Sequence, residues 1–276
     1  MKHANNTSKL FDVKNRNVVI TGSSGLLGSQ YANTLSEAGA NVILVDLESK
    51  KNKILEKSLV KKYRTNARSF TSDISNLQEV KKLAKNVLKD FKRIDGLINN
   101  AAFTSKSAKR ESDRPYGSFE NFPMEIWQKS IDINLTGVFF CSQAFGKIML
   151  RQRKGVIVNI ASHYGLVGAD QRIYGKSGLN LPISYAATKG AVVNMTRYLA
   201  AYWNGKGIRV NTLSPGGVID TTYQDKKFIK KYSERTILGR MAKRDEYNGA
   251  ILFLISDASS YMTGANLIVD GGWTAW

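Results

Sequence analysis

At 276 residues and 42% hydrophobic, the chain can bury a sizeable core as one large or two small domains. A single cysteine, Cys141, excludes an internal disulfide framework and fits a reducing, cytoplasmic setting. The formal charge of +19, from 41 Lys and Arg against 22 Asp and Glu, raises the question of nucleic acid. Its basic residues, however, spread over Lys50–Arg68, Lys81–Arg93, Lys106–Arg110 and Lys226–Lys231, with no more than a lone aromatic in any of them and no nucleic-acid module. Solvated basic faces are expected, with no nucleic-acid partner. The N-terminus lacks an apolar core of signal-peptide type. No stretch approaches the roughly 18 uncharged apolar residues of a membrane span, so no membrane partner is expected either. No metal site is expected.

Taken in order, residues 1–15 form an expected tail, and 16–276 a single domain without repeat, low-complexity segment or linker. The β-rich run Asn17–Thr21 leads into Gly22-Ser-Ser-Gly25-Leu-Leu-Gly28, and helical spacing continues through Ala32, Leu35 and Ala38 to Gly39. Val42–Asp46 is an apolar strand ending in an acid, 24 positions after Gly22. Strand, glycine-rich turn, helix, strand and terminal acid are the parts of a dinucleotide-binding unit. The glycines permit a tight turn and let backbone N–H groups and a helix N-terminus approach a pyrophosphate. Asp46 is placed to accept hydrogen bonds from a ribose.

The alternation continues. A basic helix is expected over Lys51–Lys62, a strand over Ala67–Asp73, a helix over Gln78–Phe91 and a strand from Gly96 into the turn ending at Ala102. A long helix over Trp127–Leu150 contains Asn134, and Cys141 within it reads as a core thiol. Strands over Ile208–Gly216 and Asn266–Val269 flank a helical segment at Glu246–Ser256. Such alternation implies a mostly parallel sheet covered on both faces, an α/β doubly wound fold.

The chemistry concentrates in Gly155–Lys189. The apolar run Val156–Ile160 leads to Ser162, and after a long polar loop (163–182) a helix carries Tyr185 and Lys189. Four residues apart, these two share one helix face. A phenol loses its proton near pH 10, and a nearby ammonium favours the phenolate. Ser162 could offer a hydroxyl to the same substrate oxygen.

In this order the motifs TGSSGLLG, Asp46, Asp73-Ile74, NNAA at Asn99–Ala102, Asn134, Ser162, Tyr185–Lys189, SPGG at Ser214–Gly217 and VDGG at Val269–Gly272 resemble the short-chain dehydrogenase/reductase superfamily over nearly the whole chain. The resemblance implies a seven-stranded Rossmann-type sheet with a nicotinamide cofactor along the strands' C-terminal ends. It implies Tyr185 as proton carrier, Lys189 as ribose holder, Ser162 as carbonyl-orienting hydroxyl, and Asn134 as holder of a water linking Lys189 to solvent. Cofactor contacts would come from Thr21, Gly22, Ser24, Gly25, Leu26, Leu27 and Gly28, from Asp46, Asp73 and Ile74, and from Asn100, Ala101 and Ala102. Pro215, Gly216 and Val218 would line the nicotinamide side, with Thr221 one residue beyond the commoner offset. NAD is expected over NADP because Asp46 would repel a 2′-phosphate, although Lys50 and Lys51 lie close by.

Two features depart from the family pattern. Gly22 and Gly25 are separated by two residues rather than three, and the Ser162–Tyr185 segment is longer than usual. With the terminal GGWTAW, these resemble a subgroup linked with bacterial surface-sugar and flagellin-glycan biosynthesis. The implied activity interconverts a secondary alcohol and a ketone on a polar or anionic sugar derivative. Alternatives are a 3-oxoacyl thioester reductase acting on an acyl carrier protein and a non-catalytic dinucleotide sensor. In the long loop, Arg172 and Lys176 are expected to grip an anionic substrate. His163 reads as a pocket wall, because a triad needs convergence in space and not adjacency. Trp273 and Trp276 are either core or contacts within a homodimer or homotetramer.

Overall fold

The computed structural model describes residues 7–104, 118–175, 180–222 and 224–276. Seven parallel strands form one sheet in the order β3-β2-β1-β4-β5-β6-β7. They are β1 (Asn17–Thr21), β2 (Asn41–Asp46), β3 (Ala67–Thr71), β4 (Gly96–Asn99), β5 (Gly155–Ile160), β6 (Ile208–Pro215) and β7 (Asn266–Val269). The inner strands are nearly continuous apolar runs because both faces are covered. Alternate residues then divide between two cores. Val18, Ile20, Val42, Leu44 and Val158 pack on one side with the helices α2 (Leu26–Glu37) and α9 (Asn248–Ile255). Val19, Ile43, Val45, Leu97 and Ile157 pack on the other with α4 (Leu77–Phe91) and α6 (Gly137–Gln152).

The remaining helices are α1 (Thr7–Leu10), α3 (Ser49–Tyr63), α5 (Met124–Ile131), α7 (Ile183–Tyr202) and α8 (Lys226–Ser233). The lead-in is not a free tail from Val13 onward. Val13 is fully buried in the first core, and the Asn15 N–H donates to Gly39 O at 2.9 Å. An apolar side chain so close to the first strand finds burial there.

From Met124 to Gln152 the chain is helical for 29 residues and apolar enough, by length and composition, to cross a membrane. Its apolar residues are nonetheless used inside the domain: Cys141, Phe145 and Met149 are fully buried against the sheet. The helix expected over Trp127–Leu150 is interrupted by a π turn at Asp132–Thr136, which contains Asn134. Such turns are frequent at functional sites.

The order reverses between β1, which leads on one side to β2, and β4 on the other. A crevice opens at the C-terminal strand ends there, the position where doubly wound sheets bind ligands.

Candidate active site

That crevice is a cleft of about 1190 Å³. It reaches from the ends of β2 and β3 across β1, β4 and β5 to the end of β6, and it exceeds the volume of ordinary small-molecule pockets.

At one end the glycine-rich turn makes a close-packed cradle. Gly22 has φ +63°, and a Cβ there would lie 2.7 Å from Ala101 Cα. A Cβ on Gly28 would lie 2.1 Å from Gly22 O, so the first turn of α2 sits directly on the loop. Asn100 binds the end of β4 to that of β1: its Nδ2 donates to Thr21 O and Gly22 O, both at 3.0 Å. Its backbone N–H and that of Ala101 donate to Thr21 Oγ1 at 3.1 Å. Thr21 and Gly28 thus support the cleft from behind, while Gly22, Ser24, Gly25, Leu26, Leu27, Ala101 and Ala102 line it.

Asp46 closes the ribose end. Its Oδ2 accepts from the Ser24 N–H at 2.9 Å and from Ser24 Oγ at 2.8 Å, and its Oδ1 from the Glu48 N–H at 3.0 Å. Oδ1, with a single hydrogen bond, retains lone-pair capacity for a ligand hydroxyl. Asp73 and Ile74 also line this end. Beside them Ser72, which sequence reasoning missed, places a buried Oγ without a protein partner. A cradle tight enough to need glycine, a carboxylate and an orphaned hydroxyl fit the adenosine and pyrophosphate of a dinucleotide. No pattern in the sequence distinguishes Ser72 from any serine at a strand end.

At the other end stand Ser162, Tyr185 and Lys189, which line the cleft together. Ser162 follows β5, and its side chain hydrogen-bonds Tyr185. Lys189 is 4% exposed, and its Nζ donates to Ile160 O at 2.6 Å while lying 5.6 Å from the centroid of the Tyr185 ring. Burial lowers the Lys189 ammonium to about 8. The Tyr185 phenol is raised, with burial as the main cause and the Ser162 hydrogen bond opposing it. The expected lowering of the phenol by Lys189 does not emerge here: desolvation raises it, and the opposing contribution comes from Ser162.

Asn134 is 1% exposed and is not at the cleft surface. Its Oδ1 accepts from the Phe103 N–H at 2.6 Å and its Nδ2 donates to Phe103 O at 3.0 Å. The amide fastens the chain after β4 to the π turn, so the side chain is engaged in holding that chain and does not face the cleft.

The substrate half departs from expectation at Arg172. Its guanidinium is mostly exposed, lies outside the cleft lining and forks onto Asp170, with Nε–Oδ1 at 2.8 Å and Nη2–Oδ2 at 3.0 Å. The cause is local: Asp170 caps the short turn Gln171–Tyr174 and lies two residues away. Lys176 falls outside the described residues, and Thr221 is not at the cleft. Among the described loop residues Tyr164, Tyr174, Leu181 and Pro182 line the cleft, and Tyr174 packs on Phe228 of α8, also at the cleft, at 5.3 Å between ring centroids. His163 does line the cleft, 2% exposed, as does Tyr232 at 3%. Its 3.5 Å approach to Ser162 Oγ is longer than an ordinary hydrogen bond, so no hydrolytic pair forms. Trp273 is buried beside it, whereas Trp276 is 77% exposed.

Comparison with known proteins agrees with this geometry. Residues 23–274 match the family described as enoyl-(acyl carrier protein) reductase. Sorbose reductase of Schizosaccharomyces pombe is 34% identical over 273 residues, covering 96% of this chain and 98% of that protein. D-threitol dehydrogenase of Mycolicibacterium smegmatis is 32% identical over 271 residues, covering 96% and 95%. The crystal structure of a gluconate 5-dehydrogenase from Burkholderia cenocepacia in complex with NADP and tartrate superposes with a TM-score of 0.86 at 29% identity, covering 98% and 99%. The chain belongs to the short-chain dehydrogenase/reductase superfamily. It is an NAD(P)-dependent oxidoreductase that acts on CH–OH groups.

Proposed function

We propose that this enzyme interconverts a secondary alcohol and a ketone on a short polyol or sugar derivative, using NAD in preference to NADP. The observation that carries the reading is the Ser162–Tyr185 hydroxyl pair beside buried Lys189, at the opposite end of one cleft from Asp46. When bound, the nicotinamide supplies or accepts the hydride, and the protein supplies orientation and electrostatics. In the reducing direction the Ser162 hydroxyl donates to the carbonyl oxygen and polarises it. The Tyr185 phenol, protonated because burial raises its pKa, gives its proton to that oxygen as the alkoxide forms. Lys189 holds the ribose hydroxyls and adds positive charge beside the developing anion. In the oxidising direction Tyr185 takes the proton back. Asn134 acts through the chain it fastens. Homo-oligomerisation belongs to the same reading, supported by the exposed stacked pair Tyr198 and Tyr202 on α7 and by exposed Trp276.

The preference for NAD rests on Asp46 and Glu48 at the ribose end, where the nearest cationic lining group, Lys51, lies 3.8 Å from Glu48. A 2′-phosphate would meet two carboxylates. The polyol reading is supported by the relatives' activities and by the mixture of aromatic faces and hydroxyls in the substrate half. The expected place in surface-glycan synthesis rests on the resemblance of the glycine spacing, the loop and the C-terminus alone. It enters the test as a separate substrate arm.

The test measures cofactor-linked turnover of D-threitol, gluconate, sorbose, a nucleotide-linked keto-sugar and an acetoacetyl thioester with each dinucleotide. NAD-linked turnover of a polyol or sugar is the expected result. Faster thioester reduction would move the enzyme to acyl substrates, and a lower KM for NADP would overturn the Asp46 argument.

A further inference from the structure

The segment Pro215–Gly217 leaves β6 where the nicotinamide side of the cleft is proposed. Each of its main-chain polar groups is held. The Gly216 N–H donates to Val269 O at 2.9 Å, Gly216 O accepts from Tyr247 Oη at 3.1 Å, and Gly217 O accepts from the Ala242 N–H at 3.0 Å. The other two groups are held by side chains from the reactive-serine turn and from α8. His163 Nδ1 lies 3.1 Å from Pro215 O, and the Gly217 N–H donates to Tyr232 Oη at 2.5 Å. Tyr232 Oη and His163 Nε2 meet at 3.3 Å and close the chain.

The proton order follows from the partners. A carbonyl can only accept, so Nδ1 carries the imidazole proton and donates to Pro215 O. Nε2 is then an acceptor, and the Tyr232 O–H points at it while the phenolic oxygen receives the Gly217 N–H. Burial pulls His163 down to about 4, opposed by the Pro215 hydrogen bond. The ring is therefore neutral at neutral pH, and the direction of the chain is stable. Packing enforces the same arrangement. The Trp273 ring lies 4.4 Å from that of Tyr232 and 5.3 Å from that of His163, centroid to centroid. A Cβ on Gly217 would lie 2.4 Å from Tyr232 Cζ, so that glycine lets the phenol sit against the main chain.

We propose that His163 and Tyr232 form a positioning clamp that sets the distance between reactive Ser162 and the Pro215–Gly217 shelf. The two sides of the reacting centre, the hydroxyl pair on the β5 side and the nicotinamide wall on the β6 side, are thereby held in register by side chains and not by the sheet alone. His163, the residue directly after Ser162, joins them. This rests on the proposed reading of Pro215 and Gly216 as the nicotinamide wall.

Three variants separate the bonds. Tyr232→Phe removes both hydroxyl contacts, His163→Phe removes both imidazole contacts while keeping a ring, and His163→Asn keeps a donor for Pro215 O alone. NADH affinity is read by fluorescence titration, together with kcat and KM on whichever sugar or polyol of the panel is turned over. Tyr232→Phe and His163→Phe are expected to weaken NADH binding about 10-fold and to lower kcat, with substrate KM within about 2-fold of wild type. The double variant is expected to be no worse than the worse single, because a chain broken once has already released the shelf. His163→Asn should recover part of the loss. NADH affinity unchanged in both Phe variants, or single effects that multiply in the double, would overturn the clamp. Should His163→Phe fail to fold, Tyr232→Phe and His163→Asn decide by the same titration. If wild type binds NADH yet turns over no polyol or sugar, the substrate reading falls and the titration still judges the clamp.

Discussion

Lys189 is the residue on which the pH behaviour turns, because it is a buried ammonium whose pKa burial lowers to about 8. Reduction needs this ammonium charged and the Tyr185 phenol protonated. Rising pH removes both, and Lys189 titrates first, since burial shifts the phenol upward. Reduction should therefore hold steady below about pH 8 and decline above it. A reduction profile flat from neutrality to about pH 10 would remove Lys189 from that role. Substitution separates the two residues. Tyr185→Phe takes away only the proton carrier, so turnover should fall by about 10³-fold or more while NADH affinity stays within about 2-fold. Lys189→Ala should damage both turnover and NADH affinity. Equal NADH affinity in wild type and Lys189→Ala would contradict the ribose-holding role.

Between Ser162 and Tyr185 the inserted loop acts as an element together with α8. Asp170 receives Arg172 from its own turn and Arg235 from beyond α8, and Lys231 Nζ donates to Arg172 O at 3.1 Å. Ile173 is buried beside them, and Tyr174 packs against Phe228 in a tilted arrangement. The Arg172 guanidinium beside Asp170, helped by Arg235, holds that carboxyl well below the usual range. The anion grip expected of Arg172 is therefore a brace, which holds Tyr174 at the cleft beside Tyr164, Leu181 and Pro182. Asp170→Asn should loosen loop from helix and raise substrate KM about 3- to 10-fold, with NADH affinity unchanged. Arg172→Ala should move KM by less than about 2-fold, as befits an exposed ion pair. A larger KM effect from Arg172→Ala than from Asp170→Asn would return Arg172 to the substrate.

For the molecule as a whole, the charge of +19 gives salt opposite effects on stability and on binding. Like charges repel across the folded surface, so screening should raise the thermal midpoint by a few degrees between about 0.02 and 0.3 M NaCl. The same field draws in an anionic dinucleotide, and NADH affinity should weaken over that range. Differential scanning calorimetry and NADH titration at matched salt read both effects. A midpoint that falls with salt would mean that local ion pairs outweigh the net repulsion.

Much of the fold and of the reacting centre was legible because it is written in short-range spacing. The apolar runs of β1 and β2, the Gly22–Gly28 turn, Asp46 at a strand end and the four-residue step from Tyr185 to Lys189 each express the period of their own element. A parallel sheet then brings its strand ends to one edge, which places Asp46, Asn100, Ser162 and Pro215 along one cleft. What the tertiary structure alone decided are the partners of side chains far apart in sequence. Tyr232 and His163 lie 69 positions apart, Pro215 and His163 lie 52 apart, and Arg235 and Asp170 lie 65 apart. The burial of Val13, the π turn around Asn134 and the raised Tyr185 phenol belong to the same class. Periodicity records which face of an element is apolar, but a hydrogen-bond partner or a desolvated charge exists only after the elements have packed.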